Sequence, residues 1–270
     1  MATLITPFAQ AKPDEMALVD DFGETNWADF NARVNQLVHA LRNAGMQTGD
    51  NFAVVSGNRR EYLEAFAAAT HGGWLLIPVN WHLVAEEVAY ILADSSAKVF
   101  MVDARFIELG EATMLHPERP NLNRVVILGP EARAFADEME QAVPYEDFIA
   151  DESTDEPEEQ ILGGPMFYTS GTTGHPKGVK GSIAQIGAPV ETLKMMSDGM
   201  SGILDLPPEG RSLLVGPVYH SAQWAYSFLP MLDGSSVVMR HKFDEAETLR
   251  LIDDYQITNT HLVPTQFTRM

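Results

Sequence analysis

The chain contains no cysteine, which excludes a disulfide scaffold and any zinc site built on thiolates. It is also poor in basic residues. Lys and Arg total 18 against 38 Asp and Glu, a formal net charge of −20 over 270 residues. A surface of that sign repels nucleic acid and anionic lipid, so neither is expected as a partner. No apolar run approaches the ~18 residues of a membrane-spanning helix, so no transmembrane segment is expected. The first residues, Met1-Ala-Thr-Leu-Ile-Thr-Pro-Phe8, lack the basic stretch and apolar core of a secretory signal. None of the histidines stands in a metal-ligand spacing such as H-E-x-x-H. The combined expectation is a cytoplasmic protein.

What is present suits a sizeable folded core. Hydrophobic residues make up 45% of the chain, which points to a globular rather than a disordered protein. The length allows one large domain or two moderate ones. Over 27–43, Phe30, Val34, Leu37, Val38 and Leu41 recur at spacings of three and four, which predicts a helix with Gly45 as its stop. Further helices are predicted over 61–69, 86–92, 182–197, 220–232 and 245–255, the last with Asp244 as N-cap. Pro189 within 182–197 implies a kink or a late start. Strands are predicted over 52–55, 75–79, 99–102, 125–128, 165–169, 212–215, 236–239 and 260–263, with another helix opening at Pro264-Thr265. The acidic run 151–159 reads as a solvated linker. Strands alternating with helices imply βαβ units and mostly parallel sheets.

The densest chemistry lies in Tyr168-Thr-Ser-Gly-Thr-Thr-Gly-His-Pro-Lys-Gly-Val179. Gly171 and Gly174 let backbone approach a ligand, and successive N–H groups in such a turn form an anion-binding concavity. Thr169, Ser170, Thr172 and Thr173 add hydroxyls, and Lys177 adds a point charge suited to phosphate. The combination is a polyphosphate cradle, with Lys177 and Lys180 as a local positive field in an acidic molecule. It is not a Walker loop. That pattern, started at Gly171, would require Gly at 176 and Ser or Thr at 178, where the chain has Pro176 and Gly178.

The stretch resembles the signature loop of the adenylate-forming enzymes, which include acyl-CoA synthetases, aryl-CoA ligases, luciferases and peptide-synthetase adenylation domains. The resemblance extends over 27–55, over 73–103 with Pro78-Val79-Asn80 and Asp94-Ser-Ser-Ala-Lys98, and to Gly216-Pro-Val-Tyr-His220 with Trp224. It continues through Lys242-Phe-Asp244 and Leu262-Val-Pro-Thr265, and so covers nearly all of the chain from Trp27 onward. It implies an α/β fold of two interleaved, mostly parallel sheets flanked by helices, as in the family's large N-terminal domain. Subdomain-like pieces are expected at about 1–70 with 200–270, and at about 72–198 containing the phosphate loop.

The resemblance further implies ATP-dependent activation of a carboxylic acid, a fatty acid by overall similarity, to an acyl-adenylate and then an acyl-CoA. ATP, Mg2+ and coenzyme A are the implied cofactors and co-substrates. Thr169, Ser170, Gly171, Thr172, Thr173, Gly174 and Lys177 would grip the β- and γ-phosphates, with Thr172 nearest the magnesium. Tyr219, His220 and Trp224 would border the acyl pocket. His220 reads equally as a gate or as a packed helix-start residue, and Tyr219 and Trp224 by type alone read as core.

The aromatic-Gly-x-Thr-Glu motif, the ribose-binding Gly-Asp motif and the small C-terminal domain with its catalytic lysine have no counterpart in the 270 residues. The chain is therefore expected to be an incomplete N-terminal adenylation domain, inactive alone, whose exposed apolar face leaves either a poorly behaved monomer or a homodimer that hides it. The alternatives are a non-catalytic nucleotide-binding or assembly module, and an aryl- or aminoacyl-adenylating enzyme. A Walker-type NTPase is disfavoured by Pro176 and Gly178.

Overall fold

The computed structural model describes residues 4–137, 139, 141–169, 176–180 and 186–270. In chain order the elements are α1 (Thr6–Ala11), β1 (Met16–Asp20), β2 (Gly23–Asn26), α2 (Trp27–Asn43), β3 (Asn51–Val55), α3 (Arg60–Gly72), β4 (Leu75–Val79), α4 (Ala85–Asp94) and β5 (Ala97–Asp103). A 3-10 turn (Ala104–Phe106) leads into α5 (Ile107–Leu115), β6 (Arg124–Leu128), α6 (Ala132–Ala136), β7 (Ala142–Pro144), α7 (Tyr145–Ile149), β8 (Gly164–Thr169) and β9 (Lys177–Lys180). The remainder is α8 (Glu191–Ile203), β10 (Arg211–Leu214), α9 (Ser221–Met231), β11 (Ser236–Met239), α10 (Glu245–Asp254), β12 (Asn259–Thr260) and α11 (Pro264–Phe267).

These elements divide between two compact units. One comprises Met1–Ala32, Gly57–Leu63 and Pro189–Met270, the other Arg33–Ser56 and Glu64–Ala188. The first holds a five-stranded sheet in the order β12-β10-β11-β1-β2. Every pair is parallel except the hairpin β1–β2. Val19, Leu213, Val215, Val238 and Leu251 form an apolar cluster on this sheet. At the end of β1, the Asp20 carboxylate receives Arg60 Nη2 at 2.9 Å and the Arg60 backbone N–H at 3.0 Å. Burial pushes the Asp20 carboxyl up, but the hydrogen bonds and charge of Arg60 outweigh it and hold the group below the usual carboxylate range.

The second unit holds a seven-stranded sheet in the order β7-β6-β5-β3-β4-β8-β9, parallel except for β8–β9. Its central strands read as continuous apolar runs because both faces are covered. Phe52, Ala53, Val54 and Val55 are all fully buried, as are Val99, Phe100, Met101 and Val102. The guanidinium of Arg33 reaches Glu64 at 2.7 Å and Glu146 at 2.8 and 2.9 Å, and the Tyr145 hydroxyl donates to Glu64 at 2.5 Å. Glu64 is thereby buried with its charge matched.

The predicted helix over 27–43 is α2, and its stripe Phe30, Val34, Leu37, Val38 and Leu41 is fully buried. Asp244 caps α10, its carboxylate accepting the Glu247 N–H at 2.8 Å. Of the two outcomes expected at Pro189, the late start holds, since α8 begins at Glu191. Residues 182–185 of that predicted helix lie outside the described residues. The strand predicted over 260–263 is the shorter β12, paired only through Asn259 and Thr260 with β10. Residue 263 instead serves as N-cap of α11, whose first residue is Pro264.

Candidate functional site

Two groups of sequence-predicted residues lie in different units. In the second unit, β8 and β9 form an antiparallel hairpin. Thr169 is the direct cross-strand partner of Lys177, Tyr168 of Gly178, Phe167 of Val179 and Met166 of Lys180. Residues 170–175 of the phosphate loop, and with them Ser170, Gly171, Thr172, Thr173 and Gly174, lie outside the described residues. Thr169 and Lys177, at the two ends of the connection, are both exposed. Among the described residues Lys177 makes no ion pair, so its ammonium is available to a ligand. Because β8 runs parallel to β4, pairing Leu75 with Gly164 and Leu76 with Pro165, the loop leaves the carboxyl end of the parallel strands. Open α/β sheets bind ligands at that edge.

Two residues of α4 brace the hairpin at both ends of the loop. The Tyr168 hydroxyl donates to Asp94 Oδ2 at 2.6 Å, and the Tyr90 hydroxyl donates to the Pro176 carbonyl at 3.4 Å. Tyr90 and Asp94 stand one helical turn apart, on the same face of α4. Burial raises the Tyr168 phenol above its ordinary value, and the hydrogen bond and charge of Asp94 raise it further. Gly178 makes room for that ring. An added Cβ there would sit 3.2 Å from Tyr168 Cε2 and Cζ, and 3.3 Å from Met166 Sδ. Neither Tyr90 nor Asp94 was singled out by the sequence as a site residue. Only Tyr90 falls within the helix predicted over 86–92; the structure extends α4 to Asp94 and so places the two residues at i, i+4.

In the first unit, the segment after β10 runs Val215-Gly216-Pro217-Val218-Tyr219-His220 into α9. Asn58 holds it with all of its amide capacity but one lone pair. Its Nδ2 donates to the carbonyls of Gly216 at 2.8 Å and Arg240 at 3.0 Å, and its Oδ1 accepts from the Val218 N–H at 3.0 Å. Asn58 is 2% exposed. It thus ties the carboxyl ends of β10 and β11 together. Asn58 was missing from the sequence-based set because a single Asn in a turn has no pattern to mark it.

His220 is the N-cap residue of α9, with extended backbone and no side-chain cap bond. Its ring is exposed and lies 4.6 Å from that of Tyr219, tilted by 58°. The inner side of the ring is partly buried, which lowers the His220 imidazole below its ordinary value and favours the neutral form, able to accept or donate a hydrogen bond. Burial likewise raises the Tyr219 phenol. Trp224, one turn along α9, is 1% exposed and stacked on Phe228 at 5.6 Å. The structure brings Tyr219 and His220 side by side and sets Trp224 within the packed face of α9. Among the described residues no group of three or more His, Asp or Glu is placed to hold a metal ion, and Thr172 lies outside them.

Comparison with known proteins bears on what these edges do. A family model described as AMP-binding enzyme matches residues 6–270. A 3-methylmercaptopropionyl-CoA ligase of Ruegeria pomeroyi is 29% identical over 246 residues, covering 90% of this chain and 44% of that protein. A 3-oxocholest-4-en-26-oate–CoA ligase of Rhodococcus rhodochrous is 29% identical over 272 residues, covering 95% of this chain and 48% of that protein. Among solved structures, an anthranilate-CoA ligase in complex with anthranoyl-AMP superposes with a TM-score of 0.82 at 20% identity, over 97% of this chain and 49% of that one. A fatty acyl-CoA synthetase of Mycobacterium tuberculosis gives a TM-score of 0.76 at 23% identity, over 98% of this chain and 49% of that one. The chain therefore spans under half the length of these relatives.

Proposed function

The chain belongs to the AMP-binding enzyme family, and on that premise we propose that it supplies the phosphate-gripping and acid-binding parts of an adenylate-forming acid–thiol ligase. In this reading it is the first part of an N-terminal adenylation domain. A carboxylate oxygen attacks the α-phosphorus of ATP, the bond from that phosphorus to the bridging oxygen of the β-phosphate breaks, and pyrophosphate leaves. The thiolate of coenzyme A then attacks the acyl carbon, and AMP leaves with the carboxylate oxygen that had attacked.

The observation that carries the reading is the braced hairpin, with exposed Thr169 and Lys177 opposed at the ends of the glycine- and hydroxyl-rich loop. Negative charge grows on the departing pyrophosphate. Fixed donors and a lysine aimed at that charge lower the barrier without reorganising. Thr169, Lys177 and loop residues 170–174 would do this, and magnesium would add charge neutralisation through the phosphate oxygens. Tyr219 and His220 would orient the acid. His220, neutral and exposed, offers a hydrogen bond to the carboxylate or to the carbonyl formed from it.

Relatives named as ligases of acyl and aryl acids support a carboxylic acid as the substrate. We assign a fatty acid, and the cytoplasm, where ATP and coenzyme A are both at hand, as the compartment. The test is carboxylate-dependent exchange of labelled pyrophosphate into ATP by the complete protein. Exchange that needs both an acid and Mg2+ supports the reading. Tight ATP binding with no exchange for any acyl, aryl or amino acid would leave a nucleotide-binding module in its place.

A further inference from the structure

The acid-binding edge of the first unit carries a polar pair that the chemistry above does not use. Gln223 lies in the first turn of α9, three residues after His220, and so on the same side of that turn. It is 5% exposed. Its Nε2 stands 3.0 Å from His261 Nδ1 and donates to the His261 carbonyl at 3.1 Å. A backbone carbonyl only accepts, so the atom facing it is the amide nitrogen. The same nitrogen must also donate to Nδ1, which puts the imidazole proton on Nε2. The His261 ring is further held by Tyr226, 5.1 Å away and tilted by 41°. Tyr226 is in turn tied to β12, its carbonyl accepting from Asn259 Nδ2 at 2.9 Å.

The pair is pressed against the segment that leads to His220. An ideal Cβ on Gly216 would meet Gln223 Nε2 at 2.2 Å, Cδ at 2.4 Å and Oε1 at 2.9 Å. Only glycine lets the amide lie flat on the backbone there. His261 directly follows β12, whose Thr260 is level with Leu213 of β10. Both chains therefore leave the sheet at the same edge, with Gln223 bridging them. Two hydrogen-bonding positions remain open among the described residues, the Gln223 Oε1 acceptor and the His261 Nε2–H donor, and neither is sealed from solvent. An amide and an imidazole locked together in this way form a prepared donor–acceptor pair, where an apolar chain alone would need no hydrogen-bonding partner.

We propose that Gln223 and His261 are specificity-determining residues, and that the acid activated here carries an oxygen-bearing group, such as a hydroxyl, oxo or second carboxyl function, on its non-reacting portion. The inference rests on the adenylation reading and narrows its fatty acid to an oxygenated one. A pocket that hydrogen-bonds a substrate group discriminates against the analogue lacking it, because the pocket's own polar atoms are then left unpaired.

The test is kcat/KM for exchange by the complete protein across straight-chain acids of matched length, each unsubstituted or carrying a terminal hydroxyl or carboxyl group. The wild type is expected to favour the oxygenated member by about 2- to 12-fold, the scale of one net hydrogen bond. His261→Phe keeps an aromatic ring beside Tyr226 without its hydrogen-bonding atoms, and Gln223→Met keeps the volume. Each should bring the ratio towards one while exchange with the unsubstituted acid persists. A wild type that prefers the unsubstituted acid, or a preference unchanged in both variants, overturns the proposal. If no acid supports exchange, the adenylation reading fails and calorimetric binding of the same acids still decides the point. Tighter binding of the oxygenated acid that is lost in His261→Phe supports the pair, and equal binding of both acids overturns it.

Discussion

Thr169 and Lys177 are direct partners across the β8–β9 hairpin, both exposed, at the two ends of the glycine-rich connection. Direct cross-strand partners project from the same face of a hairpin, so a hydroxyl and an ammonium are presented together. Lys177→Met should therefore lower kcat/KM for ATP by about 100- to 1000-fold, the scale for removing one aimed donor. As a surface change it should alter stability by no more than about 0.5 kcal/mol. Pyrophosphate exchange and urea unfolding on the same preparations check both halves.

The bond from Tyr168 to Asp94 is the brace on the incoming strand. The Tyr168 phenol, raised above its ordinary value by burial and by Asp94, should fall back towards the usual value in Asp94→Asn, because the neighbouring negative charge is gone. NMR titration of ring-labelled tyrosine reads this directly. The same variant should raise KM for ATP more than it lowers kcat, since it loosens the loop's anchor without touching the reacting atoms.

Asn58→Ala removes three hydrogen bonds and leaves the buried Val218 N–H without its acceptor. The expected cost is about 1–3 kcal/mol, the penalty for one unsatisfied buried group, seen as a lower urea midpoint. Because Asn58 fixes the segment carrying Tyr219 and His220, exchange activity should fall further than the loss of folded protein accounts for.

The core was legible from the sequence wherever periodicity was strong. The stripe on α2 and the doubly buried runs of β3 and β5 follow from spacing alone. Some short elements were not. The hairpin β1–β2 and the strand β9 have too few residues to show alternation, and β9 draws its partner from across the loop. The phosphate loop was legible as chemistry because glycines, hydroxyls and a lysine are concentrated in one stretch. Its braces, Tyr90 and Asp94, are ordinary helix residues whose role exists only once α4 packs beside β8. Asn58 and the Gln223–His261 pair are likewise tertiary facts, made by residues far apart in the chain.

His71 is fully buried, and neither ring nitrogen has a hydrogen-bond partner among the described residues. Burial, aided by the charge of Arg42, lowers its imidazole well below the ordinary value. The folded state thus holds it neutral, while the unfolded chain takes up a proton below about pH 6.5. The stability tied to this group is present above that pH and is lost as pH falls towards the folded value, with a slope of up to about 1.4 kcal/mol per pH unit. Urea midpoints measured from pH 7.5 to 5 should decline for the wild type and decline less for His71→Leu.

The central claim is that a carboxylate oxygen forms a bond to the α-phosphorus of ATP. The direct measurement is to supply an acid labelled with oxygen-18 in both carboxylate positions, together with ATP, Mg2+ and coenzyme A, and to weigh the AMP released by the complete protein. The account predicts one oxygen-18 in each AMP and none in pyrophosphate. Unlabelled AMP, or ADP and phosphate as the only nucleotide products, would contradict it.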